Sequence, residues 1–173
     1  MKKIILSVVL LGGLFSISTE AQAQFKNRDM LLNLGVGLNS YYTGGIPLSS
    51  SFEIGVTDDI SVGGGLDYLS YNYTGYGRFT AVYVGGRGSY HFNRLLNLRN
   101  EKIDIYAGAS LGYRSFSWGD NYIGPTLGNT YGSGLFLGIH AGARYYFSRA
   151  VGGFLELGAL GSSNARLGFA FKF

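Results

Sequence analysis

The sequence has 173 residues, 29 of them glycine, 14 tyrosine and 12 phenylalanine, with two prolines and no cysteine. That length bounds the chain to one domain, and the composition excludes a collagen-like polymer, a disordered tail and a disulfide-stapled fold. A formal net charge of +4 is too small an excess to mark a nucleic-acid binder, and no nucleic-acid partner is expected.

The first element is an export signal. Lys2 and Lys3 precede an apolar run over residues 4–15, and Ala21-Gln22-Ala23 supplies the small residues a signal peptidase reads. The run is too short for a membrane-spanning helix, which needs about 20 apolar residues. Residues 1–23 are therefore expected to be removed, leaving Gln24 as the amino terminus of a domain over 24–173. Without a cysteine after the run, no lipid anchor is expected.

Eight segments of roughly ten residues with strict two-residue alternation follow, the mark of half-buried strands. Leu32, Leu34, Val36 and Leu38 oppose Asn33, Gly35 and Gly37; Leu48, Phe52, Ile54 and Val56 oppose Ser49, Ser51 and Glu53. Ile60, Val62, Leu66 and Tyr68 oppose Ser61, Gly63, Gly65 and Asp67; Val82, Val84, Tyr90 and Phe92 oppose Tyr83, Gly85, Arg87 and His91. Ile103, Ile105, Leu111 and Tyr113 oppose Asp104, Tyr106, Ser110 and Arg114; Leu135, Leu137, Ile139 and Tyr145 oppose Phe136, His140, Arg144 and Tyr146. Val151, Leu155 and Leu157 oppose Phe154 and Glu156; Leu167, Phe169, Phe171 and Phe173 oppose Arg166, Gly168, Ala170 and Lys172. Long connections (40–47, 70–78, 115–132, with 161–165 shorter) alternate with tight turns at 58–59 and 148–150. The segment 93–102 sits where a third tight turn belongs. This order describes an up-and-down meander with both termini at the short-turn end.

Alternation does not say which face is inside. A soluble eight-stranded cup would bury the apolar face and wet the polar one. Three features favour the inverse. The polar face is mostly glycine, serine and tyrosine, far below the charge of a soluble exterior. Aromatic residues gather at strand ends: Tyr41, Tyr42, Tyr68, Tyr71, Tyr113, Phe116 and Trp118 toward the long connections, and Tyr90, Phe92, Tyr145, Phe147 and Phe173 at the other end. Two such belts around an aliphatic band match the two interfaces of a bilayer. The export signal makes an outer membrane reachable. Hydrocarbon offers no hydrogen-bond partners, so the strands must close. The expected fold class is all-β, an eight-stranded antiparallel up-and-down transmembrane barrel.

With the export signal, the eight strands and the terminal "RLGFAFKF", the chain resembles the small outer-membrane β-barrel proteins of double-membraned bacteria, of OmpA/OmpX type and like the barrel-domain proteins of Bacteroidota. The resemblance implies outer-membrane localisation with periplasmic termini, lipid and lipopolysaccharide as surroundings, and an assembly signal in Phe171 and Phe173 read by the barrel-assembly machinery. No wall-binding domain is expected after Phe173.

An eight-stranded interior is just wide enough for side chains. Glu53, Arg87 and Glu156 stand at similar heights above the short-turn end. This predicts an interior ion-pair network of Glu53, Asp67, Arg87, Glu156 and Arg166, centred on Arg87 with one or both glutamates. An unpaired charge there would cost several kcal/mol. The "GxG" pieces lie within strands and lead into no helix, so they are not phosphate loops. His140, followed by Ala141 and Gly142, lacks the nearby downstream serine of the lipid A deacylase pattern, and His91 lies near the short-turn end, so no catalytic residue is expected; without cysteine or closely spaced histidines no metal is expected, and no cofactor either. Phe116, Trp118, Tyr122 and Tyr131, in the longest connection, are the candidates for contact with an extracellular glycan or protein. The function expected is non-enzymatic: a structural or surface-interaction barrel. The alternatives are uptake of a small hydrophobic molecule with lateral exit, for which Phe136 and Leu160 speak and Arg114 and Arg166 speak against, and lipid A modification.

Overall fold

A computed structural model describes residues 24–74, 77–119 and 132–173. The expected export signal, Tyr122 and Tyr131 lie outside the described residues. The strands are β1 (Met30–Ser40), β2 (Leu48–Gly55), β3 (Ile60–Tyr73), β4 (Gly77–His91), β5 (Ile103–Trp118), β6 (Gly134–Tyr146), β7 (Val151–Ala159) and β8 (Ser163–Lys172). They pair in chain order, all antiparallel, and β8 closes on β1. Closure reaches the last residue, since the Phe173 amide donates to the Met30 carbonyl and the Met30 amide to the Phe173 carbonyl. A free sheet edge in hydrocarbon would leave such groups unpaired at several kcal/mol each.

Alternation resolves into inside and outside as side-chain period two requires. Leu34, Leu66, Val84, Leu111, Leu137, Leu155 and Leu167 face outward and are exposed, Leu137 at 74%. On the opposite parity Glu53, Asp104, Arg144 and Glu156 are 0–1% exposed. At the end carrying the termini, Tyr90–Phe92 and Tyr145–Phe147 form outward ring pairs 5.0 and 5.9 Å apart.

The wall is uneven in height. The β3–β4 pairing runs up to Tyr73↔Gly77, and β4–β5 up to Phe79↔Trp118, whereas β5–β6 pairing stops at Arg114↔Gly134. Among the described residues, strands β3, β4 and β5 thus form a tall paddle above the rest of the rim, taking up much of the expected long connections over 70–78 and 115–132. Its polarity is reversed: Ser70, Asn72, Arg78, Thr80, Ser115 and Ser117 take the outward parity, while Leu69, Phe79, Ala81, Phe116 and Trp118 pack together on the inner face with Tyr42, Tyr73 and Tyr83. A sheet leaving hydrocarbon for water must turn its polar face out, so the reversal above Tyr68, Val82 and Tyr113 marks the membrane boundary. Tyr42, Phe116 and Trp118 are therefore not lipid-facing belt residues. Tyr42 and Tyr83 share a hydroxyl contact, and the Tyr73 hydroxyl donates to the Thr43 carbonyl, which folds the β1–β2 connection onto the paddle.

At the opposite end, residues 24–29 tuck under the barrel. Phe25 is buried, its ring 3.5 Å from that of His91 and nearly parallel to it. The Arg28 amide donates to the Gly55 carbonyl, Gln24 Nε2 to the Leu98 carbonyl, and Lys172 Nζ to the Gln24 carbonyl. The long 93–102 turn thus helps seat the amino-terminal segment.

Candidate functional site: the interior charge chain and the loop-end vestibule

Closing the barrel brings every inward charge of the strand centres into one file of alternating sign: Asp104, Arg144, Glu53, Arg87, Glu156, Arg166, Asp67. Each comes from a different strand. Arg144 Nη1 donates to Asp104 Oδ2 at 2.7 Å and its Nη2 lies 3.6 Å from Glu53 Oε1. Arg87 Nε stands 3.1 Å from Glu53 Oε1, and its Nη2 donates to Glu156 Oε1 at 2.7 Å. Arg166 Nη1 is 3.8 Å from Glu156 Oε2, and its Nη2 donates to Asp67 Oδ2 at 2.5 Å. β1 joins through Asn33, whose Oδ1 accepts from Arg144 Nε at 3.1 Å. The structure thus gathers Glu53, Asp67, Arg87, Glu156 and Arg166 and extends the chain with Asp104 and Arg144. These two share the inward parity and face each other across β5 and β6.

Neutral groups add further donors. Glu53 Oε2 accepts from Ser61 at 2.8 Å and Ser89 at 2.6 Å, and Glu156 Oε1 from the Tyr106 hydroxyl at 3.0 Å. The Tyr106 ring lies under the Arg144 guanidinium, 3.9 Å from centroid to Cζ. Asp67 Oδ2 also accepts from the Ser162 amide and hydroxyl, tying the β7–β8 hairpin to the charge chain. Gly161 at that hairpin has φ +95°, and a Cβ there would stand 2.8 Å from Asp67 Oδ2, so only glycine lets the turn approach.

One row has the composition of a catalytic triad. Ser61 Oγ is 3.0 Å from His91 Nε2, and His91 Nδ1 is 2.7 Å from Asp104 Oδ1. Its chemistry is otherwise spent: the single Ser61 proton goes to Glu53, so Ser61 can only accept from the imidazole it would need as base. Ser61 is 0% exposed and Phe25 covers the His91 ring. No substrate carbonyl can reach it. Ser89 and His140 repeat the pattern, 3.0 Å apart, with the Ser89 proton on Glu53. Among the described residues no group of three or more His, Cys, Asp or Glu is arranged to hold a metal ion.

Above Arg87 and Arg166 a cavity of about 30 Å³ interrupts the packing, bounded by Asp67, His140, Phe136 and Leu160. That is room for a few ordered waters and no more. Beyond it a wider vestibule of about 370 Å³ opens at the loop end, lined by Tyr42, Tyr83, Arg114, Phe116 and Phe136 on the inner side, with the exposed Tyr41 at its edge and Leu137 and Ala159 of the outward parity. Phe116, expected in a surface loop, is thus part of this wall, and Trp118 stands on the paddle behind it, with the Phe79 ring between them at 5.9 and 5.0 Å. Strand alternation extended past Arg114 places both; the polar Ser115 and Ser117 between them hide the signal.

A closed sheet of eight antiparallel strands with aliphatic side chains outside and an alternating chain of buried charges inside is the fold of a transmembrane β-barrel. The fold is similar to that of the N-terminal β-barrel domain of Pseudomonas aeruginosa OprF, at 16% identity and a TM-score of 0.51, covering 85% of this chain and 98% of that one. It is likewise similar to a de novo designed transmembrane β-barrel, at 17% identity and a TM-score of 0.52, covering 87% and 99%. No family model matches the sequence, and no curated protein matches it.

Proposed function

We propose that the protein is a non-enzymatic outer-membrane barrel, exported by a signal removed after Ala23, that seals its own lumen and holds the β3–β5 paddle and neighbouring connections at the cell surface. The observation that carries this reading is the charge chain from Asp104 to Asp67, which links seven strands and leaves above it a cavity for a few waters. Phe25 stoppers the other mouth. The end with the short turns and the termini is assigned to the periplasm in this reading, a placement supported by the habit of transmembrane barrels of keeping short turns there and longer loops outside. The exposed Phe173 and the outward Phe171 present the assembly signal to the insertion machinery. Lipid and lipopolysaccharide surround the wall, and the paddle with residues 120–131 is the surface offered to a glycan or protein.

Planar-bilayer recording tests the sealed lumen: the purified barrel should give no stable large unitary current, and a steady open level would contradict it. A pull-down from host-surface extracts should lose its captured ligand when residues 120–131 are deleted, and unchanged capture would remove presentation from these loops. Lipid A of unchanged mass in cells with and without the protein is expected of a non-enzymatic barrel.

A further inference from the structure

The vestibule has a side door. β6 begins at Gly134 and is paired with β5 from there, but its pairing with β7 starts only at Ile139↔Ala159. Among the described residues, Gly134–Leu137 have no partner strand on the β7 side, because β7 ends at Ala159 and Leu160–Ser162 turn back into β8. Here Leu137 and Ala159, which face lipid, line the same vestibule as the inward Tyr83, Phe116 and Phe136. Leu135 and Leu137 beside the gap are exposed at 76% and 74%, more than any other large apolar residue described.

The chemistry inside the door is that of an amphiphile site. Phe116, Phe136 and Tyr83 form an edge-to-face aromatic wall, with centroids 6.0 and 5.3 Å from Tyr83. Arg114 lies over the Phe116 ring at 5.7 Å and makes no ion pair among the described residues. It differs in this from Arg87, Arg144 and Arg166, each held by carboxylates. The floor is closed by the Arg166–Asp67 pair and the Leu160 side chain. A guest therefore enters and leaves through the membrane side or the loop end, never through the barrel. A cation at the membrane boundary beside an apolar, laterally open space matches one kind of guest.

We propose that the vestibule binds a membrane-borne amphiphile with a single anionic headgroup, which slips its chain between the top of β6 and the β7–β8 hairpin and sets its headgroup on Arg114. The aromatic wall holds the chain by contact, and the headgroup exchanges water for the guanidinium in a charge-assisted hydrogen bond. This goes beyond the sealed-lumen reading and is independent of it: a barrel can be closed to ions with or without this site.

Trp118 is the single tryptophan of the chain and stands behind the vestibule wall, so its fluorescence reports occupancy. The barrel in phosphatidylcholine nanodiscs is titrated, at alkaline pH, with a nitroxide-labelled stearic acid and with its uncharged methyl ester. The acid should quench Trp118 saturably and at several-fold lower concentration than the ester. Arg114→Gln, at an exposed position, should abolish the difference between acid and ester. Ala159→Phe, also at an exposed position, narrows the door and should weaken saturable quenching by both probes; Leu137→Trp would confuse the readout and is avoided. Quenching by the acid that rises linearly and equals that of the ester in the wild-type protein would overturn the proposal. So would an Arg114→Gln protein that still prefers the acid. Bilayer conductance measured on the same preparations reads the sealed lumen separately.

Discussion

Replacing Arg87 by methionine puts the charge chain to its severest test. Methionine is unbranched and ends near the position of Arg87 Nε, so it keeps the apolar stem and removes the charged head. Breaking a buried ion pair from one side costs about 3–5 kcal/mol, because the partner stays behind uncompensated. Here two carboxylates lose their common cation. Glu53 keeps Arg144 at 3.6 Å and the hydroxyls of Ser61 and Ser89, and Glu156 keeps the Tyr106 hydroxyl at 3.0 Å and Arg166 at 3.8 Å. These remaining partners set the expected loss near the lower end, about 3 kcal/mol. With a urea slope of about 2 kcal/mol per molar, the unfolding midpoint of the vesicle-inserted barrel, followed by Trp118 emission, should fall by about 1.5 M. Adding Glu156→Gln removes one stranded charge and should recover part of that loss, a coupling a double-mutant cycle reads directly. Arg94→Ala, at a surface pair with Asp58 where both side chains are more than half exposed, should cost less than about 1 kcal/mol. An Arg87→Met midpoint as close to wild type as that of Arg94→Ala would refute the assignment of the chain as the element that holds the barrel together.

Other consequences are as concrete. Phe25→Ala removes the ring stacked on His91 and should lower stability by about 3 kcal/mol in the same urea titration, in the range of a buried phenylalanine truncation. Gly63→Ala places a Cβ 1.9 Å from the Phe52 carbonyl oxygen, which β2 can relieve only by breaking its register, so refolding yield into vesicles, read by the heat-dependent gel shift, should collapse. Leu155→Arg, in the outward aliphatic band, should cost about 2–4 kcal/mol if it lies near the midplane, whereas Ser115→Arg on the paddle, above the polarity reversal, should be nearly neutral.

Much of this architecture was legible from two-residue alternation. A one-residue slip would carry Glu53, Arg87 or Glu156 into lipid, so pattern and register constrain each other tightly. What alternation could not supply is height. Asp104 follows the long 93–102 turn, so counting residues up from the turns did not reveal that it stands opposite Arg144. The paddle was hidden by a change of solvent: once Ser115 and Ser117 face water, the outward apolar signature disappears and a strand reads as a loop, and Phe116 and Trp118 seem to be loop aromatics when they are a wall. The side door is invisible to sequence, because it depends on where β7 stops relative to β6. The seat of Phe25 needs the same three-dimensional knowledge, since a ring near the amino terminus carries no sign of the histidine 66 positions later that it covers.

Insertion of the barrel depends on aliphatic side chains meeting lipid while the charges stay within the cylinder. The absence of native cysteine permits single-cysteine spin labels at Leu34, Leu111 and Leu155 on one parity and Ser51 and Ser110 on the other. In reconstituted bilayers the first three labels should be relaxed by oxygen dissolved in the hydrocarbon and not by an aqueous nickel complex, while Ser51 and Ser110 should be sheltered from lipid-borne oxygen. Leucine-site labels that respond to the aqueous nickel complex, from a chain that folds and stays monomeric in plain buffer, would contradict this arrangement.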